Sequence, residues 1–127
     1  MRSIVAAAQV SPAGVVSLSG QLTLGQLGAA IALAAVVVAN NSGPAHISAA
    51  LGTPLVDLYA QTNPQHTPWL VAHRVLFHDV PCRNCFRSVC PEGHHDCLVK
   101  VAPERVAAAV CELIEESMRG GRHSIEA

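Results

Sequence analysis

The sequence predicts an α/β domain in which a parallel β-sheet is flanked by helices. Apolar runs of strand length occur at Val36 to Ala39, Leu55 to Tyr59 and Val75 to Phe77. Branched side chains in short runs suit strands that are buried on both faces of a parallel sheet. Helical signals separate the first two runs, as in a strand–helix–strand unit. A chain of 127 residues is long enough for one such domain.

Two short elements and one helix are predicted before the first of these strands. Ser3 to Gln9 is typical of the end of a helix, and Val15 to Leu18 of a short strand. Thr23 and Gln26 form a T-x-x-Q capping box, in which each side chain accepts a backbone N–H from the other residue. The box predicts a helix that runs to about Ala34.

The segment from Val36 to Pro54 joins a strand to a helix and carries the strongest functional signal. Free N–H groups and the helix dipole meet where such a helix begins, which favours a phosphate of a nucleotide or nucleotide-sugar. Many junctions of this kind bind nothing, and a histidine there is often a capping or packing residue. The helix is predicted to end at Gly52. The candidate caps and phosphate contacts at its start are Asn40, Asn41, Ser42, Gly43, Pro44 and His46.

The loop after the second strand reaches the same edge of the sheet, because the carboxyl ends of parallel strands gather there. Thr62 and Asn63 are therefore candidate phosphate or sugar contacts, with ordinary turn chemistry before Pro64 as the alternative. His66 and Trp69 follow in a loop, where packing explains a single Trp better than sugar stacking does.

The last predicted helix runs from Pro103 to about Met118. Val106, Val110 and Leu113 give it a buried stripe. We expect the helix to end at Gly120–Gly121, and the last five residues to be disordered.

Composition limits the classes of partner and location. The net charge of −1 gives no reason to expect a nucleic-acid partner. No Asp, Glu, Lys or Arg lies between Arg2 and Asp57, but the apolar window from Leu24 to Ala39 is short for a membrane span, and a buried helix and strand explain it better. We expect a cytoplasmic protein, which could also bind peripherally to the inner membrane.

A cysteine-rich loop at residues 81–98 carries the second chemical signal. Four thiols have the spacing C-x2-C-x4-C-x6-C, and a cytosolic cluster of this kind favours structural zinc. Packed free thiols, or disulfides formed in air, are the alternatives, and His94 or His95 could replace the last cysteine. Arg83, Arg87 and His94 could also meet an anionic second substrate or the phosphates of the nucleotide-sugar. The candidate metal ligands are Cys82, Cys85, Cys90 and Cys97.

Three separated motifs together resemble glycosyltransferase family 9, the lipopolysaccharide heptosyltransferases. They are N-N-S-G-P-A-H-I-S-A-A-L-G-T-P, D-L-Y-A-Q-T-N-P-Q-H-T-P-W and P-C-R-N-C-F-R-S-V-C-P-E-G-H-H-D-C-L. The family usually has Asp where Asn41 stands, so the resemblance leaves the strength of sugar recognition open.

The resemblance implies a fold, an activity and a set of partners. The chain, residues 1–127, would be part of the C-terminal, Rossmann-like donor-binding domain of a GT-B transferase, truncated at its N-terminus and lacking the N-terminal domain. The whole enzyme would transfer heptose from ADP-heptose to the inner core of lipopolysaccharide, with no cofactor needed for catalysis. The resemblance places the catalytic base in the other half, so that this chain alone would be inactive. The alternatives are a zinc-stabilised binding module and a GT-B transferase that uses another nucleotide-sugar.

Overall fold

The computed structural model describes residues 14–60, 63–87 and 89–122 of the chain. Three strands and four α-helices make up the regular structure of these residues. In chain order they are α1 (Leu24–Leu33), β1 (Val37–Asn40), α2 (Gly43–Leu51), β2 (Leu55–Leu58), a 3-10 turn (Pro64–His66), β3 (His73–Leu76), α3 (Asp96–Val99) and α4 (Pro103–Arg122).

The strands form one parallel sheet in the order β1-β2-β3. Val38 lies opposite Val56, and Val56 lies opposite Arg74, so β2 is the central strand. Helices flank this sheet, which confirms the predicted α/β class. The three strands predicted after residue 35 are present, with bounds shifted by one or two residues.

The capping box of α1 forms as the sequence predicts. The backbone N–H of Gln26 donates to Thr23 Oγ1 at 3.3 Å, and the backbone N–H of Thr23 donates to Gln26 Oε1 at 2.9 Å. Two unpaired N–H groups at the helix start are thereby satisfied.

Small polar side chains join α1 and α2 to the start of β2. Gly52 ends α2 in the left-handed region, with φ 74°, where the absence of a Cβ removes the steric penalty. Next to it, the Thr53 hydroxyl donates to the carbonyl of Ile31 at 3.1 Å, and the Ser48 hydroxyl donates to the carbonyl of Thr53 at 2.8 Å. Both hydroxyls are buried, so each hydrogen bond replaces one that water would make.

The two faces of the sheet are covered differently. Helix α4 packs on β2 and β3, and an apolar core forms there from Val56, Leu76, Ala109 and Leu113. Successive strand residues point to opposite faces, so Leu55 and Asp57 face away from α4. On that side α2 contacts β1 and β2, and α1 packs against α2.

Two predictions about element bounds are wrong. Val15 to Leu18 is not a strand, because the run pairs with no other strand in the described part of the chain. It lies instead along a wide groove that α1 also lines. Helix α4 does not end at Gly120–Gly121 but continues to Arg122. A glycine costs a helix only about 1 kcal/mol, which does not by itself stop a long one.

Other predictions fall on residues outside the described ranges. These are the helix end at 3–9, the contact at Thr62 and the disordered tail at 123–127. Among the described residues, no helix is both long and apolar enough to cross a membrane.

Candidate functional site

A cavity of about 470 Å³ opens where β1 and β2 end. The carboxyl edge of a parallel sheet is where ligands of α/β domains bind. The lining of this cavity combines amides, an imidazole and a guanidinium with a few apolar side chains. The lining residues are Asn40, Asn41, Leu58, Tyr59, Ala60, Asn63, His66, Phe86, Arg87 and Leu98.

Asn41 supplies a hydrogen-bond acceptor at this cavity. The Asn41 N–H continues the sheet ladder by donating to the carbonyl of Leu58 at 3.3 Å. The Oδ1 atom of its side chain is buried and has no hydrogen-bond partner among the described residues. A buried amide oxygen without a donor costs free energy, so this oxygen favours any ligand that brings a hydroxyl or N–H group.

The start of α2 lies directly after Asn41 and lacks a side-chain cap. Ser42 is the N-cap residue, but its hydroxyl donates back to the carbonyl of Asn40 at 3.0 Å and makes no capping bond. The positive end of the helix dipole is thus left without an acceptor from Ser42. Pro44 follows in the first turn, as the sequence predicts.

A short hydrogen-bonded chain forms the other wall of the cavity. The backbone N–H of Asn63 donates to Tyr59 Oη at 2.7 Å, and Asn63 Nδ2 lies 3.3 Å from His66 Nε2. Asn63 Oδ1 accepts the N–H of Gln65 at 3.1 Å and caps the 3-10 turn. The turn chemistry that was the alternative for Asn63 is therefore present, and the residue lines the cavity as well.

His46 lies away from this cavity. It is exposed on α2 and lines a separate open depression of about 720 Å³ with Trp69 and Leu70. Leu70 has φ 59°, an unfavourable conformation for a branched apolar residue. The structure thus brings Asn41 and Asn63 together but separates both from His46. Ser42 and Gly43 line neither space, and Pro44 lines the groove beside α1.

Asp57 is a buried carboxyl that sequence reasoning missed as a site feature. It is 0% exposed in the middle of β2, and neither carboxyl oxygen has a hydrogen-bond partner among the described residues. Burial raises its pKa to about 6, and the nearby His46 and His73 oppose that rise. Its signal was visible, because Asp57 is the first acidic residue of the chain and stands inside an apolar strand.

The cysteine-rich loop surrounds a second, smaller cavity of about 140 Å³. All four of its cysteines are free, and Cys82 Sγ lies 3.8 Å from His94 Nε2. Backbone N–H groups, first that of His95, lower the pKa of the Cys90 thiol. Burial, together with the neighbouring Cys90 and Cys82, raises the pKa of Cys97. Within the described ranges, no three His, Cys, Asp or Glu side chains are placed to hold a metal ion as they stand.

The sequence profile of glycosyltransferase family 9 (heptosyltransferase) matches residues 2–95. The chain belongs to glycosyltransferase family 9. This confirms the resemblance seen in the three motifs, two of which lie wholly within the matched residues.

Relatives within the family are identical to this chain at about a third of the aligned positions. It is 31% identical over 103 residues to lipooligosaccharide heptosyltransferase 2 of Campylobacter jejuni, covering 80% of this chain and 32% of that protein. It is 36% identical over 92 residues to lipopolysaccharide heptosyltransferase 2 of Escherichia coli, covering 71% and 26%. The chain therefore spans about a third or less of the length of these relatives.

A solved structure shows the same fold. The crystal structure of the glycosyl transferase family 9 from Veillonella parvula matches with a TM-score of 0.73 and 25% sequence identity. The match covers 91% of this chain and 34% of that one. The family 9 chain described here thus has the fold of part of a solved family member.

Proposed function

We propose that this family 9 chain is the donor-binding part of a glycosyltransferase that moves heptose from ADP-heptose to the lipopolysaccharide inner core. Its relatives are named heptosyltransferases of lipopolysaccharide or lipooligosaccharide, which supports the sugar and the acceptor. A nucleotide-sugar is then the donor partner and the lipopolysaccharide core the acceptor partner. A cytoplasmic location stays part of this proposal.

The observation that carries the proposal is the buried Asn41 Oδ1, which has no hydrogen-bond partner among the described residues and belongs to the residue just before the start of α2, where Ser42 makes no side-chain cap. A nucleotide-sugar carries groups that suit both features. Its hydroxyls can donate to Asn41, and its negatively charged diphosphate is favoured at the positive end of the helix dipole. Arg87 lines the same cavity and adds a positive charge for the diphosphate. The predicted contacts Ser42, Gly43, Pro44, His46, Thr62 and Asn63 remain part of the proposal.

This arrangement would act on the leaving group. When the glycosidic bond breaks, negative charge grows on the departing nucleoside diphosphate. A fixed helix dipole and a guanidinium stabilise that charge more than they stabilise the intact donor, which lowers the barrier. The base that activates the acceptor is assigned to the rest of the enzyme.

Calorimetric titration of the chain with ADP, UDP and GDP tests the proposal. We expect saturable binding with a preference for ADP. Asn41→Ala should weaken that binding about 5- to 30-fold, because the variant loses a hydrogen bond worth about 1–2 kcal/mol. Gln65→Ala is the matched control, since Gln65 carries an exposed amide that does not line the cavity. A folded chain that binds no nucleotide, or equal weakening in both variants, would contradict the proposal.

His46→Ala separates two versions of the donor site. If the diphosphate extends along α2 to the depression at His46, this variant should weaken ADP binding about 3- to 10-fold. Unchanged binding, together with a loss in Asn41→Ala, would restrict the site to the cavity at the strand ends. Preference for UDP or GDP would instead support a family 9 enzyme with a different donor.

A further inference from the structure

We infer that the cysteine-rich loop binds one zinc ion through Cys82, Cys85, Cys90 and Cys97, with His94 as a hydrogen-bond donor to the site and not as a ligand. The inference does not require the proposed donor site to be correct, although Arg87 lines both cavities. It concerns the small cavity, whose lining contains all four thiols and both histidines of the loop. Tetrahedral zinc in a structural site takes four thiolate or imidazole ligands.

The hydrogen bond of His94 decides which of its nitrogens carries a proton. The backbone N–H of Asp96 donates to His94 Nδ1 at 3.0 Å, so Nδ1 uses its lone pair as an acceptor. The proton of the ring then lies on Nε2, the atom 3.8 Å from Cys82 Sγ. A protonated nitrogen cannot bind a metal, but it can donate to a thiolate. His94 therefore supports Cys82, and Cys97 is left as the fourth ligand.

Cys90 lies in a turn that is closed by a backbone hydrogen bond, in which the N–H of Gly93 donates to the Cys90 carbonyl at 3.3 Å. The Cys90 residue lines the same small cavity as the other three cysteines. Four thiolates around one divalent cation leave a net negative charge, and Arg83 and Arg87 at the same cavity offset it.

The backbone of the loop is held in costly conformations. Asn84, Phe86 and His95 all have φ between 53° and 59°, in the left-handed region. Asn and His tolerate this region better than most residues, so the cost, about 1 kcal/mol or more, falls mainly on Phe86. Such strain persists where surrounding contacts over-determine the conformation. A metal ion that crosslinks four positions of the loop supplies that constraint.

Zinc binding requires the four cysteine sulfur atoms to come within bonding distance of one ion. Within the described residues they do not yet converge, since no three candidate ligands are placed to hold a metal. A tetrahedral site needs sulfur atoms about 3.8 Å apart, each about 2.3 Å from the ion. The cavity of about 140 Å³ has room for one ion. The inference requires that side-chain rotations bring the four thiols together around it.

The test is the metal content and coordination of the full 127-residue chain, purified under reducing conditions. We expect about one zinc per chain, and X-ray absorption showing four sulfur neighbours at about 2.3 Å with no nitrogen. A folded, reduced chain without zinc after incubation with Zn²⁺ would overturn the inference. A nitrogen neighbour would overturn the assignment of Cys97 and His94.

Single variants distinguish the cysteines that bind zinc from His94, which is proposed only to donate a hydrogen bond. Cys90→Ser and Cys97→Ser should each reduce zinc below one per chain, whereas Cys111→Ser, at the exposed cysteine of α4, should leave it unchanged. His94→Gln should keep one zinc but weaken its affinity about 10- to 100-fold in competition with a chelator, as is found for groups that support ligands. Loss of all zinc in His94→Gln, with full zinc in Cys97→Ser, would contradict the assignment. Circular dichroism of each variant checks that the chain still folds.

Discussion

The two faces of strand β2 show opposite kinds of packing. On the α4 face, Val56 is fully buried in an apolar cluster with Leu76, Ala109 and Leu113. On the α2 face, Asp57 is equally buried, yet its carboxyl oxygens have no partner in the described residues. Adjacent residues of one strand therefore make contributions of opposite sign to stability.

This difference between the two faces identifies Asp57 as a residue that lowers the stability of the fold. A buried charge without a partner is costly, and proteins retain such groups most often near sites that bind or react. Asp57 lies two residues before Tyr59, which lines the cavity at the strand ends. The α4 face holds the sheet together, and the α2 face carries the polar groups that lead to the candidate site.

The largest effect should come from the apolar face. Leu113→Ala removes a side chain that is 1% exposed and leaves a cavity beside Val56. We expect a loss of about 2–5 kcal/mol in the free energy of unfolding, measured by urea titration. Met118→Ala on the same helix is the control, because Met118 is 64% exposed and should change stability by less than about 0.5 kcal/mol. Equal losses in both would mean that α4 is not packed as described.

On the α2 face, replacing the buried Asp57 should raise the free energy of unfolding instead of lowering it, and the size of the effect should depend on pH. The pKa of Asp57 is about 6 in the folded chain, above its ordinary value of 3.8. Between these values the unfolded chain loses the proton first, so the penalty on the folded state grows from about pH 4 and levels off above pH 6.

Asp57→Asn removes this penalty while keeping nearly the same shape. We expect the variant to be more stable than the parent chain by about 1–2 kcal/mol at pH 7.5, a figure reduced for solvent screening. At pH 3 this difference should have nearly disappeared, because the parent carboxyl is then mostly protonated in both the folded and the unfolded chain. Asp79→Asn, at an exposed acid paired with Arg83, is the control and should show little difference. A variant less stable than the parent at pH 7.5 would show that the carboxylate has a partner.

The smallest loss of stability should come from the buried hydroxyls that link α1 and α2 to the start of β2. Thr53→Val removes the donor to the Ile31 carbonyl while keeping the side-chain volume. We expect a loss of about 1 kcal/mol, since one buried hydrogen bond is deleted. Ser19→Ala, at an exposed hydroxyl, is the control for thermal unfolding. No change in Thr53→Val would mean that water replaces the hydroxyl at Ile31.

Local rules in the sequence were sufficient for much of the fold. The capping box at Thr23, the three apolar runs and the left-handed end at Gly52 each depend on neighbours within a few residues, and each appears in the structure. Val15 to Leu18 was wrongly predicted because a strand needs a partner, which a local apolar run cannot reveal.

The site was harder to predict, because it depends on where side chains point. Ser42 was predicted as a cap, but its hydroxyl turns back to Asn40, a choice between two nearby acceptors that spacing does not decide. His46 shares a motif with Asn41 but lies on the exposed side of α2, lining a different space. The spacing of the cysteines indicated a metal site, whereas the role of His94 became visible only from the donor to its Nδ1 atom.

The exposed indole beside His46 makes the chain its own optical probe. Trp69 is the one tryptophan of the sequence, it is 73% exposed, and it lines the depression that His46 also lines. Its emission therefore comes from one place in the molecule and starts from a nearly aqueous environment. A ligand that extends along α2 would cover the ring and shift its emission to the blue, whereas one confined to the strand-end cavity would leave the spectrum unchanged.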